Sequence, residues 1–293
     1  RPSATVFRNS TACALLRWGG GSTSHPMKRF VPFMKSDPLV AVVRLQGAIM
    51  ANSRGAGLND QSIAPVIERA FKKGKPVAVA LAINSPGGSP AQSSLIASRI
   101  RRLAEEKDVP VHAFVEDVAA SGGYWLACAA DKIWADQTSI LGSIGVISAS
   151  FGFQEAIAKI GVERRVHTAG ESKSILDPFR PEKAEDVERL KSLQLELHET
   201  FIDHVKSSRG ERLQDHPELF TGAFWTGNKS VELGLADGIG HLVPKMKELY
   251  GDKTRFAVYG QKRSVLGRFG LSLASELATG LEERAAYARF GLS

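Results

Sequence analysis

Four short segments of this chain place small residues beside groups that could carry out catalysis, and the first surrounds Ser121. In Asp117-Val-Ala-Ala-Ser-Gly-Gly-Tyr-Trp, a hydroxyl lies between a predicted buried strand and a predicted apolar helix. Free backbone amides and the helix dipole favour negative charge at a helix N-terminus, so Ser121 could act as a nucleophile there. It could equally be only the N-cap of the helix, and its own surroundings do not decide between the two roles.

Three further segments could supply the other groups that a hydroxyl nucleophile needs. Asn84-Ser-Pro-Gly-Gly-Ser-Pro follows a predicted buried strand, and its glycines would let exposed amides bind a carbonyl oxygen, although such a loop can be only a connection. In Ile140-Leu-Gly-Ser-Ile-Gly-Val-Ile-Ser, the hydroxyl of Ser143 could hold a catalytic group or bind a turn amide. Lys173, in Ala169-Gly-Glu-Ser-Lys-Ser-Ile-Leu-Asp-Pro-Phe, could be a base, but most lysines in such loops are solvated.

A Ser-His-Asp arrangement is the mechanistic rival to a lysine base. It would combine Ser121 with Asp117 and with either His112 or His167. Both histidines are predicted to lie inside apolar strands, where a structural role is favoured. Cys128 is predicted to face the core of the helix that follows Ser121, so we expect no catalytic role for it. No metal and no cofactor is expected.

The elements that must position these segments alternate in type from Pro38 onward. Runs rich in β-branched residues predict strands at Leu39–Leu45, Val77–Ile83, Val111–Val115, Lys132–Ala135, Gly145–Ser148 and Arg164–Thr168. Helical patterns lie at Gln61–Lys73, Gln92–Glu106, Tyr124–Ala130 and Phe153–Ile160, followed by a long amphipathic segment from Pro181 to about Ser208. This order predicts an α/β fold in which strand-strand-helix or strand-helix units stack into one compact domain.

In order and spacing, the four segments together resemble the signal peptide peptidase A family of serine peptidases, in its short type with one catalytic repeat. The resemblance covers about Leu39 to Leu242. It rests on Asn84-Ser-Pro-Gly-Gly, Ala120-Ser-Gly-Gly-Tyr, Gly142-Ser-Ile-Gly-Val and Glu171-Ser-Lys-Ser-Ile-Leu-Asp-Pro-Phe. It implies a Clp-protease-like and crotonase-like fold of stacked strand-strand-helix repeats, with a long amphipathic helix after the catalytic region.

The resemblance also implies a role for each site residue. Ser121 would be the nucleophile and Lys173 the general base of a Ser-Lys dyad, which needs no histidine. The amides of Gly88 and Gly122 would form the oxyanion hole, and Ser143 would orient the lysine amine. The implied reaction is hydrolysis of peptide bonds in apolar peptides, such as cleaved signal peptides, through an acyl-enzyme and without a metal or cofactor.

The partners implied by the resemblance are peptides and further copies of the chain. The family would form a homo-oligomeric ring with its active sites inside, where residues of adjacent subunits could assemble the dyad. Because the chain carries one copy of the catalytic region, a ring would need several identical chains. Two alternatives remain open: a crotonase-like enzyme that acts on an acyl-CoA thioester without a serine nucleophile, and an inactive ring-forming scaffold.

Charge and hydropathy limit the remaining classes of function. The formal net charge is +7, but residues 1–36 carry six Lys and Arg residues and no acid, which leaves about +1 for the rest and argues against nucleic-acid binding. We therefore predict three regions. The first is a basic segment 1–36, which is a disordered tail, a targeting segment or an over-extended start of the chain. The second is a serine peptidase domain 37–260, and the third is an amphipathic helical extension 261–293.

The expected location follows from the same patterns. No apolar run approaches the roughly 18 residues of a membrane-spanning helix, so the chain is expected to lack the N-terminal anchor of many family members. A cytoplasmic or peripheral inner-membrane location is favoured, with peripheral membrane contact as an option. The Ser/Thr-rich, acid-free composition of residues 1–26 would also allow organellar targeting.

Overall fold

The computed structural model of the chain describes residues 37–51, 57–261 and 284–292. The predicted basic segment 1–36 and most of the predicted extension 261–293 lie outside the described residues. The strands are β1 Leu39–Gln46, β2 Ala78–Ser85, β3 Val111–Ala120, β4 Lys132–Ala135, β5 Ile140–Gly142, β6 Phe224–Thr226, β7 Gly238–Ile239 and β8 Arg255–Tyr259. The α-helices are α1 Asp60–Lys72, α2 Pro90–Lys107, α3 Gly122–Ala127, α4 Gln154–Lys159, α5 Ala184–Arg209, α6 Gly227–Glu232 and α7 Leu242–Tyr250.

The strands form one sheet that divides at β3. Its order is β6-β5-β3-β2-β1-β8, while the first half of β3 also pairs with β4, which in turn pairs with β7. The pairs are parallel except for β5 with β6. Every residue of β2 except Asn84 is buried, as expected for a parallel strand that is covered on both faces. The strand that leads to Ser121 is therefore fixed by neighbours on both sides.

Side chains that alternate along the strands enter two separate clusters. The larger cluster contains Val43 and Leu45 of β1 and the inner faces of α1, α2, α3 and α5. The smaller cluster, on the other face of the sheet, contains Val40 and Val42 with Met246 of α7. The predicted α/β fold is confirmed, and so is the long helix after the catalytic region, which is α5 with 26 residues.

Helix α2 begins directly after the glycine-rich loop that follows β2. Ser89 is its N-cap and accepts a hydrogen bond from the amide of Gln92, while Pro90 occupies the first turn, where an amide donor is not needed. Arg99 of α2 donates two hydrogen bonds of 2.8 Å to Asp60, the first residue of α1. These bonds lower the pKa of the Asp60 carboxyl and tie the two helices together.

Residues 146–183, which we call the arm, leave the sheet after β5. The predicted strands Gly145–Ser148 and Arg164–Thr168 are wrong, because both stretches lack regular secondary structure. Among the described residues, neither stretch is paired with a strand, and a strand forms only where a neighbour completes its backbone hydrogen bonds. The predicted helix at Phe153–Ile160 is present as α4, but its residues are largely exposed.

The arm is held together by its own contacts. The amide of Phe153 donates to the carbonyl oxygen of Pro178 over 2.6 Å. Arg164 bonds the carboxylate of Asp177 at 3.1 Å and places its guanidinium 5.3 Å from the ring centre of Phe179. The arm is therefore an organised surface feature.

None of the helices in the described part of the chain has both the length and the apolar character needed to cross a bilayer.

Candidate active site

Ser121 lies between the end of β3 and the start of α3, with backbone torsions that few non-glycine residues adopt. Its φ is 52° and its ψ is −121°. The amide of Ser121 donates to the carbonyl oxygen of Gly142 at 2.9 Å, and its carbonyl accepts from the amide of Trp125 at 3.0 Å. Ser121 occupies the N-cap position, but its side chain makes no capping hydrogen bond. The hydroxyl is therefore not used to stabilise the helix.

The two glycines after Ser121 allow α3 to pack directly on its neighbours. A Cβ added to Gly122 would lie 2.4 Å from the hydroxyl oxygen of Ser93, and one added to Gly123 would lie 2.3 Å from the carbonyl oxygen of Ser85. Both distances are too short for a real side chain. The small residues around Ser121 thus bring the start of α3 against β2 and α2.

The glycine-rich loop after β2 is held against Ile49. The carbonyl of Gly87 accepts from the amide of Ile49 at 2.8 Å, and the amide of Ser89 donates to the carbonyl of Ile49 at 2.7 Å. Neither bond uses the amide of Gly88. Gly88 has a φ of 141°, and a Cβ there would lie 2.0 Å from the carbonyl oxygen of Ile49, so only glycine fits.

The backbone amides of Gly88 and Gly122 are close neighbours. A Cβ on Gly122 would lie 3.3 Å from the nitrogen of Gly88, and a Cβ on Gly87 would lie 2.8 Å from the nitrogen of Gly122. Gly122 is the first residue of α3, so its amide has no carbonyl partner within that helix. Two adjacent amides beside a hydroxyl are suited to stabilise the oxyanion of acyl transfer.

Ser121, Gly88, Gly122 and Ser143 line one cleft with a volume of about 730 Å³. Ser143 also has a positive φ, of 52°, and its amide donates to the carbonyl oxygen of Ala223 at 2.7 Å. Within the described residues, the cleft lining contains no acidic side chain. Much of the lining is apolar. Its large apolar side chains are Ile49, Met50, Trp125, Val146, Ile147, Leu197, Phe201 and Phe290.

Helix α5 positions one wall of the cleft through contacts that the sequence did not reveal. Trp125 of α3 stacks on Phe201 at 4.9 Å and on His204 at 4.6 Å between ring centres. The Nε2 atom of His204 lies 3.0 Å from the carbonyl oxygen of Trp125, and burial lowers the pKa of this imidazole. The Nε2 atom of His198 lies 3.0 Å from the carbonyl oxygen of Ile144, next to Ser143. The only signal in the sequence was the helical spacing of apolar residues along α5.

Lys173 is not part of the cleft within one chain. It lies in a single 3₁₀ turn, Glu171–Ser174, on the arm, and its side chain is exposed. The described lining of the cleft around Ser121 does not include it. The chain therefore brings together four of the five predicted site residues and leaves the predicted base on a separate surface.

The groups of the rival triad do not converge on Ser121 in the described residues. His112 is buried in β3 with its Nε2 atom 3.0 Å from the hydroxyl of Tyr250, and burial lowers its pKa. His167, which was predicted to lie in a strand, is exposed on the arm. Asp117 accepts a hydrogen bond from the side-chain amide of Asn84. Neither histidine lines the cleft.

Cys128 is buried, and burial raises the pKa of its thiol to about 12, so the reactive thiolate form is disfavoured. Across the residues that the structure covers, no group of three or more His, Cys, Asp or Glu side chains is arranged to hold a metal.

The sequence profile of Peptidase family S49 matches residues 103–252, a range that contains Ser121, Ser143 and Lys173. The chain is 34% identical over 212 residues to "Serine protease SPPA, chloroplastic" of Arabidopsis thaliana, a match that covers 69% of the chain and 31% of that protein. It is 32% identical over 227 residues to "Protease 4" of Haemophilus influenzae, covering 75% of the chain and 36% of that protein.

A third relative has a name of a different kind. The chain is 49% identical over 307 residues to a protein of Brucella melitensis named "Na(+)/H(+) antiporter NhaA". The match covers 97% of the chain but 42% of that protein. The chain thus spans less than half the length of each of these three relatives.

Proposed function

Because the chain belongs to peptidase family S49, the signal peptide peptidase A family, we propose that it is a serine peptidase with Ser121 as its nucleophile. The observation that carries this proposal is the hydroxyl of Ser121, which makes no capping bond and lies beside the neighbouring amides of Gly88 and Gly122. The family profile matches the region around this serine, so peptide hydrolysis is favoured over the transport named for the Brucella relative.

In the proposed reaction, the oxygen of Ser121 attacks a peptide carbonyl, and the bond from carbon to the leaving nitrogen breaks. The amides of Gly88 and Gly122 donate hydrogen bonds to the oxyanion as it forms. Lys173, in its neutral form, takes the hydroxyl proton and passes it to the leaving amine. The resulting acyl-enzyme is then hydrolysed by water, which returns the serine. Ser143, which lines the same cleft, would orient the amine of Lys173.

We further propose that Lys173 reaches this cleft from a second copy of the chain. The arm that carries it exposes large apolar side chains, with Phe151 at 80%, Ile160 at 73% and Ile147 at 66% of their full exposure. Leu193 and Leu195 of the adjoining α5 are exposed as well. A group of large apolar side chains left exposed along one segment is typical of a protein interface. Covering the arm with a neighbouring chain would also bury the amine, as a neutral lysine base requires.

The proposed substrates are apolar peptides, such as released signal peptides. Ile49, Met50, Trp125 and Leu197 are among the apolar side chains that line the cleft with Ser121. Side chains of similar character on a peptide would be removed from water there, which favours binding in proportion to the apolar area buried. An acyl-CoA thioester enzyme would also use two converging amides, but it would not need the hydroxyl of Ser121.

Mixing of two inactive variants tests the proposed dyad. Full-length Ser121→Ala and Lys173→Ala proteins should each lose essentially all hydrolysis of a fluorogenic apolar peptide. If the dyad spans two copies, a co-assembled equal mixture should regain up to about a quarter of the wild-type rate, because some sites combine the intact serine of one chain with the intact lysine of another.

Lys159→Ala, on the same exposed arm, is the matched control and should keep its activity. No recovery in a mixture shown to co-assemble would contradict a dyad between copies. Full activity of Lys173→Ala alone would remove this lysine from the mechanism.

A further inference from the structure

Residues 284–292 form a short folded segment beside the cleft. Residues 284–288 are helical, and Gly291 ends the helix with a φ of 73°. The amide of Leu292 donates to the carbonyl of Tyr287 at 3.3 Å, and the amide of Gly291 donates to the carbonyl of Ala288 at 3.0 Å. This pair of bonds is the usual glycine-ended stop of a helix. The segment therefore has a defined conformation.

The segment contacts the end of β2 and strand β6. The hydroxyl of Tyr287 donates to the carbonyl oxygen of Asn84, where β2 enters the glycine-rich loop, at 2.7 Å. The ring of Phe290 meets Phe224 of β6 edge-on, with 5.1 Å between centres. Phe224 is paired with Gly142, the residue before Ser143. The segment thus contacts both the start of the glycine-rich loop and the β5–β6 strand pair.

One face of the segment points into the cleft. Ala286, Arg289 and Phe290 line the same cleft as Ser121. Ala286, Tyr287 and Phe290 are half-buried, whereas Arg284 and Ala288 are exposed. A peptide that reaches Ser121 along this side must therefore share space with Ala286, Arg289 and Phe290.

We infer that residues 284–292 are an autoinhibitory segment that competes with peptide substrates for the cleft. This inference rests on the proposed peptidase function and identifies a regulation of that site. The segment presents the apolar side chains of Ala286 and Phe290, together with Arg289, to a largely apolar cleft, where the proposed substrates would also place apolar side chains. Because it is tethered to the chain, its effective concentration at the cleft is high even though its contacts are few. Substrate binding then requires displacement of the segment, which raises KM and leaves kcat unchanged.

Substitutions in the segment test the competition. Tyr287→Phe removes one hydroxyl, and Phe290→Ala removes the ring between the cleft and β6. Each should lower KM for an apolar peptide by about three- to ten-fold with kcat unchanged, as expected for the loss of one such contact. Arg284→Ala, an exposed change in the same segment, is the matched control and should leave KM unchanged. A higher KM in both aromatic variants would overturn the inference, because the segment would then be a wall that helps to bind substrate.

A binding measurement separates this inference from the peptidase proposal. A fluorescent apolar peptide is titrated into Ser121→Ala protein with and without the added Tyr287→Phe and Phe290→Ala changes. Tighter binding to the triple variant, by about three-fold or more, supports displacement even if the wild-type protein has no peptidase activity. Equal or weaker binding, or no binding to either protein, overturns the inference even if the wild-type protein hydrolyses peptides.

Discussion

At Ser121, the backbone torsions rather than a side-chain hydrogen bond set the position of the hydroxyl. Its positive φ is held by bonds to Gly142 and Trp125, two residues that lie on separate elements. A true capping serine in the same protein is Ser89, whose side chain accepts from an amide of α2. Because the side chain of Ser121 makes no such bond, the amides at the start of α3 stay free of a capping oxygen. The same free amides that a cap would satisfy can stabilise an oxyanion, so a residue at a helix start can serve as a nucleophile.

Gly88 should be indispensable although it has no side chain. In Gly88→Ala, the new Cβ would meet the carbonyl oxygen of Ile49 and displace the amide that is proposed to bind the oxyanion. We expect kcat/KM to fall by about 10² to 10³, the usual effect of losing one such donor. Peptide hydrolysis and circular dichroism, measured on the same preparation, would separate a lost donor from a lost fold.

The control for this change is Gly251→Ala. Gly251 also has a positive φ, of 98°, but a Cβ there has no neighbour within 4 Å. Gly251→Ala should therefore show the backbone strain of placing alanine at a positive φ, without an effect on the cleft. A folded Gly88→Ala protein with full kcat/KM would contradict the assigned oxyanion hole.

At the scale of elements, α5 connects the fold to the site. Its aromatic contacts fix Trp125 of α3, and its His198 contacts the backbone next to Ser143. Deeper in the protein, the fully buried Arg209 at the end of α5 bonds Asp237 at 2.7 Å. Burial opposes ionisation of Asp237, but the hydrogen bonds from Arg209 and from the amide of Ile133 outweigh it and hold its pKa at about 2.

The packing of α5 predicts how stability depends on pH. Burial lowers the pKa of His204 in the folded state, so below about pH 6.5 the unfolded chain takes up protons that the native chain does not. His112 has a shift in the same direction. Urea unfolding should therefore give a lower free energy of unfolding at pH 5.5 than at pH 8, by up to about 1 kcal/mol per pH unit for each histidine.

The control for this prediction is His204→Phe, which keeps an aromatic ring against Trp125 but cannot take up a proton. It should show a smaller decline between the two pH values. The buried carboxylate of Asp237 does not affect this window, because its contribution is lost only as pH falls below about 4. Constant or rising stability toward pH 5.5 in the wild type would contradict the assignment.

The limits of sequence prediction are clearest on the arm. Gly145–Ser148 and Arg164–Thr168 have the β-branched pattern of strands, but that pattern indicates apolar contact without saying which surface is contacted. In one chain they have no regular structure, and Ile147 remains largely exposed. Ser121, Gly88 and Ser143 could be placed together from the family resemblance of the four motifs, although no single glycine or serine pattern decided its own role. The contacts of α5 and of Tyr287 could not, since they join residues far apart in the chain.

At the scale of the whole molecule, the described chain divides the proposed machinery between two surfaces. The cleft contains the proposed nucleophile, the two amides proposed to bind the oxyanion, and Ser143, while the exposed arm carries Lys173. Association of identical chains would unite the two surfaces and cover the apolar side chains of the arm. The same association would limit hydrolysis to the assembled protein, because an isolated chain would lack its base.

The most direct test of a serine peptidase centred on Ser121 is covalent labelling with a fluorophosphonate, followed by peptide mapping. One adduct per labelled chain is expected, on Ser121, with none in Ser121→Ala and a much slower reaction in Lys173→Ala. An adduct on another residue, or equal labelling of wild type and Ser121→Ala, would contradict Ser121 as the nucleophile.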